Sequence, residues 1–159
     1  MSFAIHIACR RPGLTRAELC KHIKNEIDFW DDHEPRFEPK ADSLELGGKH
    51  WDKLDVHYDG DKLIQFWRAD GNVIEGTVSE VIEQHLVERR DPKSNELVAR
   101  LKETQLLITV RIGFGGDEVA RSVWDMLSCV ETCIAGDYDG VILAAEGIYD
   151  SRLEPLVRF

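Results

Sequence analysis

Basic residues are scarce in this chain: 20 Lys and Arg stand against 30 Asp and Glu over 159 residues, a formal charge of −10 with neutral histidines. Phosphate binding needs basic side chains that displace condensed counterions, so this balance argues against nucleic acid and against an anionic membrane surface as partners. Long apolar runs are missing as well. Stretches such as Val141 to Ala145 fall far short of the roughly 20 residues that span a bilayer. The segment Met1 to Arg11 has no leading basic region, extended apolar stretch or small-residue cleavage site, so a cytoplasmic location is expected. Cysteines number four, Cys9, Cys20, Cys129 and Cys133, in a chain large enough to need no disulfide staples, which predicts reduced thiols. Internal repeats, low-complexity segments and polar linkers are absent, and one domain is expected over residues 1–159. What the chain does have is 43% hydrophobic residues, with four Trp, six Phe and three Tyr, enough to build one core and to exclude whole-chain disorder.

Phe3, Ile5, Ile7 and Cys9 alternate with Ala4, His6 and Ala8, the period of a half-buried strand. Thr15-Arg16-Ala17-Glu18 is a capping box, and Leu19, Ile23, Ile27 and Trp30 form the stripe of a helix that should end near Trp30, before Pro35 and Pro39. Strands are expected over 43–46, 53–58 and 62–68, the last two joined by a two-residue turn at Asp59-Gly60. Thr77 to Glu80 offers a second capping box, with Val78, Val81, Ile82 and Leu86 on one helical face. A break at Asp91-Pro92 precedes a short helical run over 94–103, and Leu106, Ile108, Val110 and Ile112 alternate as a strand. After the Gly113 to Gly116 loop, Asp117 caps a helix carrying Val119, Val123, Leu127, Val130 and Ile134 and ending at Gly136. A strand over 138–143 and a short extended piece over 146–150 follow. The fold class is therefore α+β, a mainly antiparallel sheet with about three helices packed against it, in the order β-α-β-β-β-α-β-α-β.

No motif names a reaction. The Gly113 to Gly116 loop lacks the Gly-Lys-Ser/Thr ending of a phosphate loop, and Asp117 and Glu118 place carboxylates where the anion would sit. Cys129 and Cys133 with Cys20 and His22 suggest a mixed metal site, yet short CxxC knuckles are absent and core packing accounts for these thiols better. Asp31, Asp32 and His33 form the one cluster suited to a divalent metal or to general acid/base work, and a small metal-dependent hydrolase is the alternative reading they support. His50, His57 and His85 sit in plain strand or helix contexts. With no GxSxG, HExxH or thiol-enzyme signature, the reading is of a protein that is not an enzyme and needs no cofactor or metal.

The acidity is localised. Between Phe114 and Ser151 there are eight acids against the single base Arg121, a net −7. Apolar stripes on the same elements are expected to turn these carboxylates outward as a negative surface, which suits fast association with a basic protein and equally suits keeping a small domain in solution. The stretch Ala135-Gly136-Asp137-Tyr138-Asp139-Gly140-Val141-Ile142 followed by Glu146-Gly147-Ile148-Tyr149-Asp150 resembles the ending of several small bacterial immunity-protein families, in which a helix leads to a strand and then to an acidic turn of the type EGxYD. The resemblance covers the C-terminal part of the chain only. It implies a cytoplasmic antidote that binds and blocks a cognate toxin, expected to be basic, of a contact-dependent or type VI secretion system, with no catalytic residues carried over. Asp137, Asp139, Glu146, Tyr149 and Asp150, with Asp117, Glu118 and Asp125, are the expected partner-binding residues. Tyr149 and Trp124 would be its aromatic anchors if exposed, since Tyr and Trp are enriched at interface hot spots, and Trp124 could equally be core.

Overall fold

Residues 3–26, 35–40, 48, 50–58, 62–69, 71–113 and 121–159 are described by the computed structural model. The strands are β1 (Phe3–Cys9), β2 (Arg36–Glu38), β3 (Lys53–Tyr58), β4 (Lys62–Ala69), β5 (Leu106–Ile112), β6 (Gly140–Ala144), β7 (Gly147–Tyr149) and β8 (Pro155–Arg158). The helices are α1 (Arg16–Asn25), α2 (Asn72–Val81), which continues into a π-turn over Ile82–Leu86, α3 (Pro92–Lys102) and α4 (Arg121–Asp137). The strands form one sheet in the order β2-β3-β4-β5-β1-β6-β7-β8, and every ladder is antiparallel.

The alternation along β1 sets the two faces of this sheet. Ile7 and Cys9 pack with Ile108, Val110, Ile64, Phe66 and Ile142 beneath α1 and α4, while Ala8, Leu107, Val141, Leu143 and Ile148 pack beneath α2 and α3. The architecture is thus α+β with helices on both faces of an antiparallel sheet. Sandwiching explains why β5 is buried at five consecutive positions, Leu106 to Val110, rather than at alternate ones. Leu127, Val130 and Ile134 of α4 are at most 1% exposed, and each such side chain contributes about 1.5–3 kcal/mol on burial. The indole of Trp51 donates to the Leu14 carbonyl at 2.8 Å, which satisfies its buried N–H and ties the connection after β1 to the segment before β3.

Several sequence expectations are corrected. The described helices are four, because the run after Asp91 is a full helix: Asp91 accepts from the Ser94 amide at 2.9 Å, and Pro92 occupies the first turn, where its missing N–H costs nothing. Helix α2 begins at Asn72 instead of Thr77, on a Gly71 cap that makes no side-chain hydrogen bond, since the stripe starts already at Ile74. Helix α1 has the expected Thr15 cap, with the Glu18 amide donating at 3.1 Å, but the Glu18 carboxylate accepts from the Tyr138 hydroxyl instead of reaching back. It closes at Asn25; Ile27 and Trp30 lie outside the described residues. The β3–β4 register pairs Tyr58 with Lys62, leaving three residues between them where a two-residue turn would pair Tyr58 with residue 61. Asp59 and Gly60 themselves, like the expected strand at 43–46, lie outside the described residues. Strands β2 and β8 were not expected. Both are edges of the sheet among the described residues, where short strands are tolerated, as are Pro35 and Pro39 beside β2 and Pro155 at the start of β8, because no described outer neighbour needs an N–H at those positions.

Candidate functional site

The residues of the C-terminal motif mostly build a corner. Asp139 adopts a left-handed φ of 53°, a conformation a short polar side chain tolerates. Arg10 donates to its Oδ2 at 2.8 and 2.9 Å and Arg100 to its Oδ1 at 3.2 Å, which joins the end of β1, α3 and the start of β6. Gly140 is obligatory for space, because a Cβ there would sit 2.7 Å from the Cys9 sulfur and 3.1 Å from the Ala8 carbonyl oxygen. Asp150 accepts from the amides of Arg152 and Glu154 at 2.8 and 2.9 Å and so closes the β7–β8 turn.

These engagements sort the expected partner-binding residues. The carboxylates of Asp139 and Asp150 are already occupied within the chain. Asp125 and Asp137 are exposed on α4, the latter 3.6 Å from the His22 ring of α1, and twelve residues of helix hold them ~18 Å apart. Glu146 is exposed in the β6–β7 turn, and Tyr149 is half-buried beside it, its hydroxyl donating to Glu146 at 3.4 Å. Desolvation, then the Glu146 carboxylate, holds the Tyr149 phenol above its ordinary value. Asp117 and Glu118, and the alternative cluster Asp31, Asp32 and His33, lie outside the described residues.

Glu146 and Tyr149 meet at a hollow of about 460 Å3 between α4 and the β6–β7 corner. On α4 it is lined by Trp124, Ser128 and Glu131, spaced four and three apart and therefore on one helical stripe. Across from them stand Ile142, Ala144 and Tyr149, and the small side chains of Ala144, Ala145 and Ser128 leave the space open. Trp124 is half-buried and packs against the core with one part of its surface.

Glu131 is the residue the sequence reading misplaced. Expected to point outward with the other acids, it is 4% exposed, and its Oε1 is buried with no hydrogen-bond partner among the described residues. The signal was present: position 131 is four residues after Leu127 and three before Ile134, on the flank of the apolar stripe. Burial alone pushes its carboxyl up to about 8, because desolvation disfavours the charged form. A carboxyl raised in this way, which favours its neutral form, lines the hollow.

A larger hollow, about 650 Å3, lies between α2 and the end of α3, but its charged residues Glu75 and Lys102 are solvent-exposed and need no ligand to satisfy them. The thiols offer no nucleophile or ready ligand: burial pushes Cys9 up to about 12 and Cys20 to about 11, and raises Cys129 and Cys133 as well. Among the described residues no three His, Cys, Asp or Glu side chains converge to hold a metal. His57 lies 3.3 Å from Glu38 on the sheet, and His85 stacks on Phe159 at 3.7 Å, both away from the hollow. No described helix is long and apolar enough to cross a membrane. No family model, curated protein or solved structure matches this chain.

Proposed function

We propose that this chain is a non-catalytic immunity protein that binds and neutralises a cognate bacterial toxin, with the hollow between α4 and the β6–β7 corner at the centre of the contact. The observation that carries the reading is the meeting of two half-buried aromatics, Trp124 and Tyr149, at an open hollow with the exposed Glu146 at its rim. Aromatic anchors beside a pocket are the features on which interface energy concentrates. Exposed Asp125 flanks Trp124 on the same helix, and together with exposed Asp137 and Glu146 it favours a basic partner through faster encounter. The motif resembling immunity-protein endings contributes mostly the scaffold of the corner, through Asp139, Gly140 and Asp150, and only Glu146 and Tyr149 to the contact itself.

Co-expression with the product of the adjacent upstream gene tests the proposal. That product is expected to arrest growth alone, to be tolerated when this chain is present, and to co-purify with it. A product that is harmless alone, or that stays toxic and forms no complex, refutes the reading.

A further inference from the structure

Glu131 is buried to 4% exposure with an unpartnered Oε1 and lines the hollow together with Ser128, Trp124 and Tyr149. A buried acceptor without a donor is costly, and a group that enters the hollow carrying a donor would relieve that cost. The charged residues lining the hollow among the described residues are Glu131 and Glu146, both acidic, and no described lining residue is basic. The complement is therefore cationic, and most of the remaining wall, Ile5, Ile142 and Ala144 among it, suits an apolar stem. An ammonium needs three acceptors, which the Glu131 carboxylate, the Ser128 hydroxyl and the rim can supply; a guanidinium brings five donors in a fixed plane and would leave several unpaired.

We infer that this hollow receives a primary ammonium group on an apolar stem, supplied as a lysine side chain of the partner, and that the ammonium pairs with the Glu131 carboxylate. The inference rests on the proposed partner only for the source of the ammonium. Because Glu131 alone is largely neutral at pH 7, pairing ionises it and releases one proton to solvent, so affinity for an amine strengthens as pH rises toward 8. The other titratable side chains lining the hollow are Glu146 and Tyr149, and the raised phenol of Tyr149 stays neutral throughout that range.

The isolated chain is titrated with n-pentylamine, and with n-pentanol as the neutral stem, following the amide and indole signals of Trp124, Glu131 and Tyr149 by NMR. Saturable shifts are expected with the amine, at least tenfold weaker with the alcohol, and strengthening about tenfold from pH 6 to 7 and about fivefold from 7 to 8. Glu131→Gln, which keeps the shape, should weaken the amine at least tenfold, and Ser128→Leu should block it while leaving Glu131 intact; melting temperatures verify that both variants are folded. Equal binding by Glu131→Gln, equal binding of the alcohol, or no saturable shift overturns the Glu131 pairing. In the complex with the upstream gene product, Glu131→Gln should cost at least tenfold in affinity and n-pentylamine should compete. A complex indifferent to both, or no complex beside clear amine binding, overturns the lysine source and leaves a free amine as the ligand.

Discussion

Glu131→Gln is expected to raise the unfolding free energy by about 3–5 kcal/mol at pH 9 and by less than about 1 kcal/mol at pH 5. The folded carboxyl titrates near 8 against an ordinary 4.5. Below 4.5 both states hold the proton and burial of the neutral acid costs what a buried amide costs. Between 4.5 and 8 the unfolded chain loses its proton while the folded chain keeps it, so stability falls as pH rises; above 8 the loss is complete. Glutamine cannot ionise and does not suffer this loss. Urea unfolding of both proteins at pH 5, 7 and 9 isolates the effect, since all other titrating groups are common to the pair. Parallel pH profiles would mean that Glu131 is solvated or paired.

The second large effect is at Gly147. A Cβ built there would collide with the backbone carbonyl oxygen of Val157 on the neighbouring strand, and neither backbone can yield without opening the β7–β8 ladder, whose register already shifts at Ile148 and Tyr149. Gly147→Ala should cost about 3 kcal/mol, the upper end of what overpacking costs, because the clash is with backbone that cannot move aside. It should also expose the amide of Phe159, which donates to Glu146 at 3.0 Å, to fast hydrogen exchange. Gly136→Ala is the contrast: its Cβ would meet nothing nearer than the Ser151 Cβ at 4.0 Å, and as a helical glycine it should gain up to about 1 kcal/mol. Equal stability of the two variants would contradict the geometry assigned to the corner.

What was legible in the residues was whatever the hydrophobic period determines. Strands β1 and β5, the Thr15 cap and the Val123, Leu127, Val130 and Ile134 part of the α4 stripe appear where the pattern places them, Val119 lying outside the described residues, and the α+β antiparallel class follows from their order. Short edges were not legible. β2 buries only Phe37 and β8 only Val157, and one buried side chain makes no period. The start of α2 was missed because Gly71 caps it without a side-chain signal while Thr77 and Glu80 imitate a capping box within the helix. The sheet's second helical layer was hidden in the unbroken burial of β5, which alternation alone reads as one-sided.

The candidate site shows the same division. Counting carboxylates located the acidic region, but charge alone does not tell a solvated acid from an engaged or buried one. Asp139 and Asp150 are held by Arg10, Arg100 and the turn amides, whereas Glu131, indistinguishable by composition, is carried inward by its place between Leu127 and Ile134. Trp124 and Tyr149 could be singled out from the residues as large aromatics within the acidic region. That they share one hollow follows only from the packing of α4 over β6 and β7, which no local pattern encodes.

Amide hydrogen exchange of this chain, alone and in complex with the upstream gene product, tests the central claim most directly. Protection is expected to concentrate on residues 124–131 of α4 and on 142–149 of β6, the turn and β7, around the hollow over Glu131. Protection confined to β2, β3 and β4, with α4 and the β6–β7 corner exchanging as in the free protein, would contradict it.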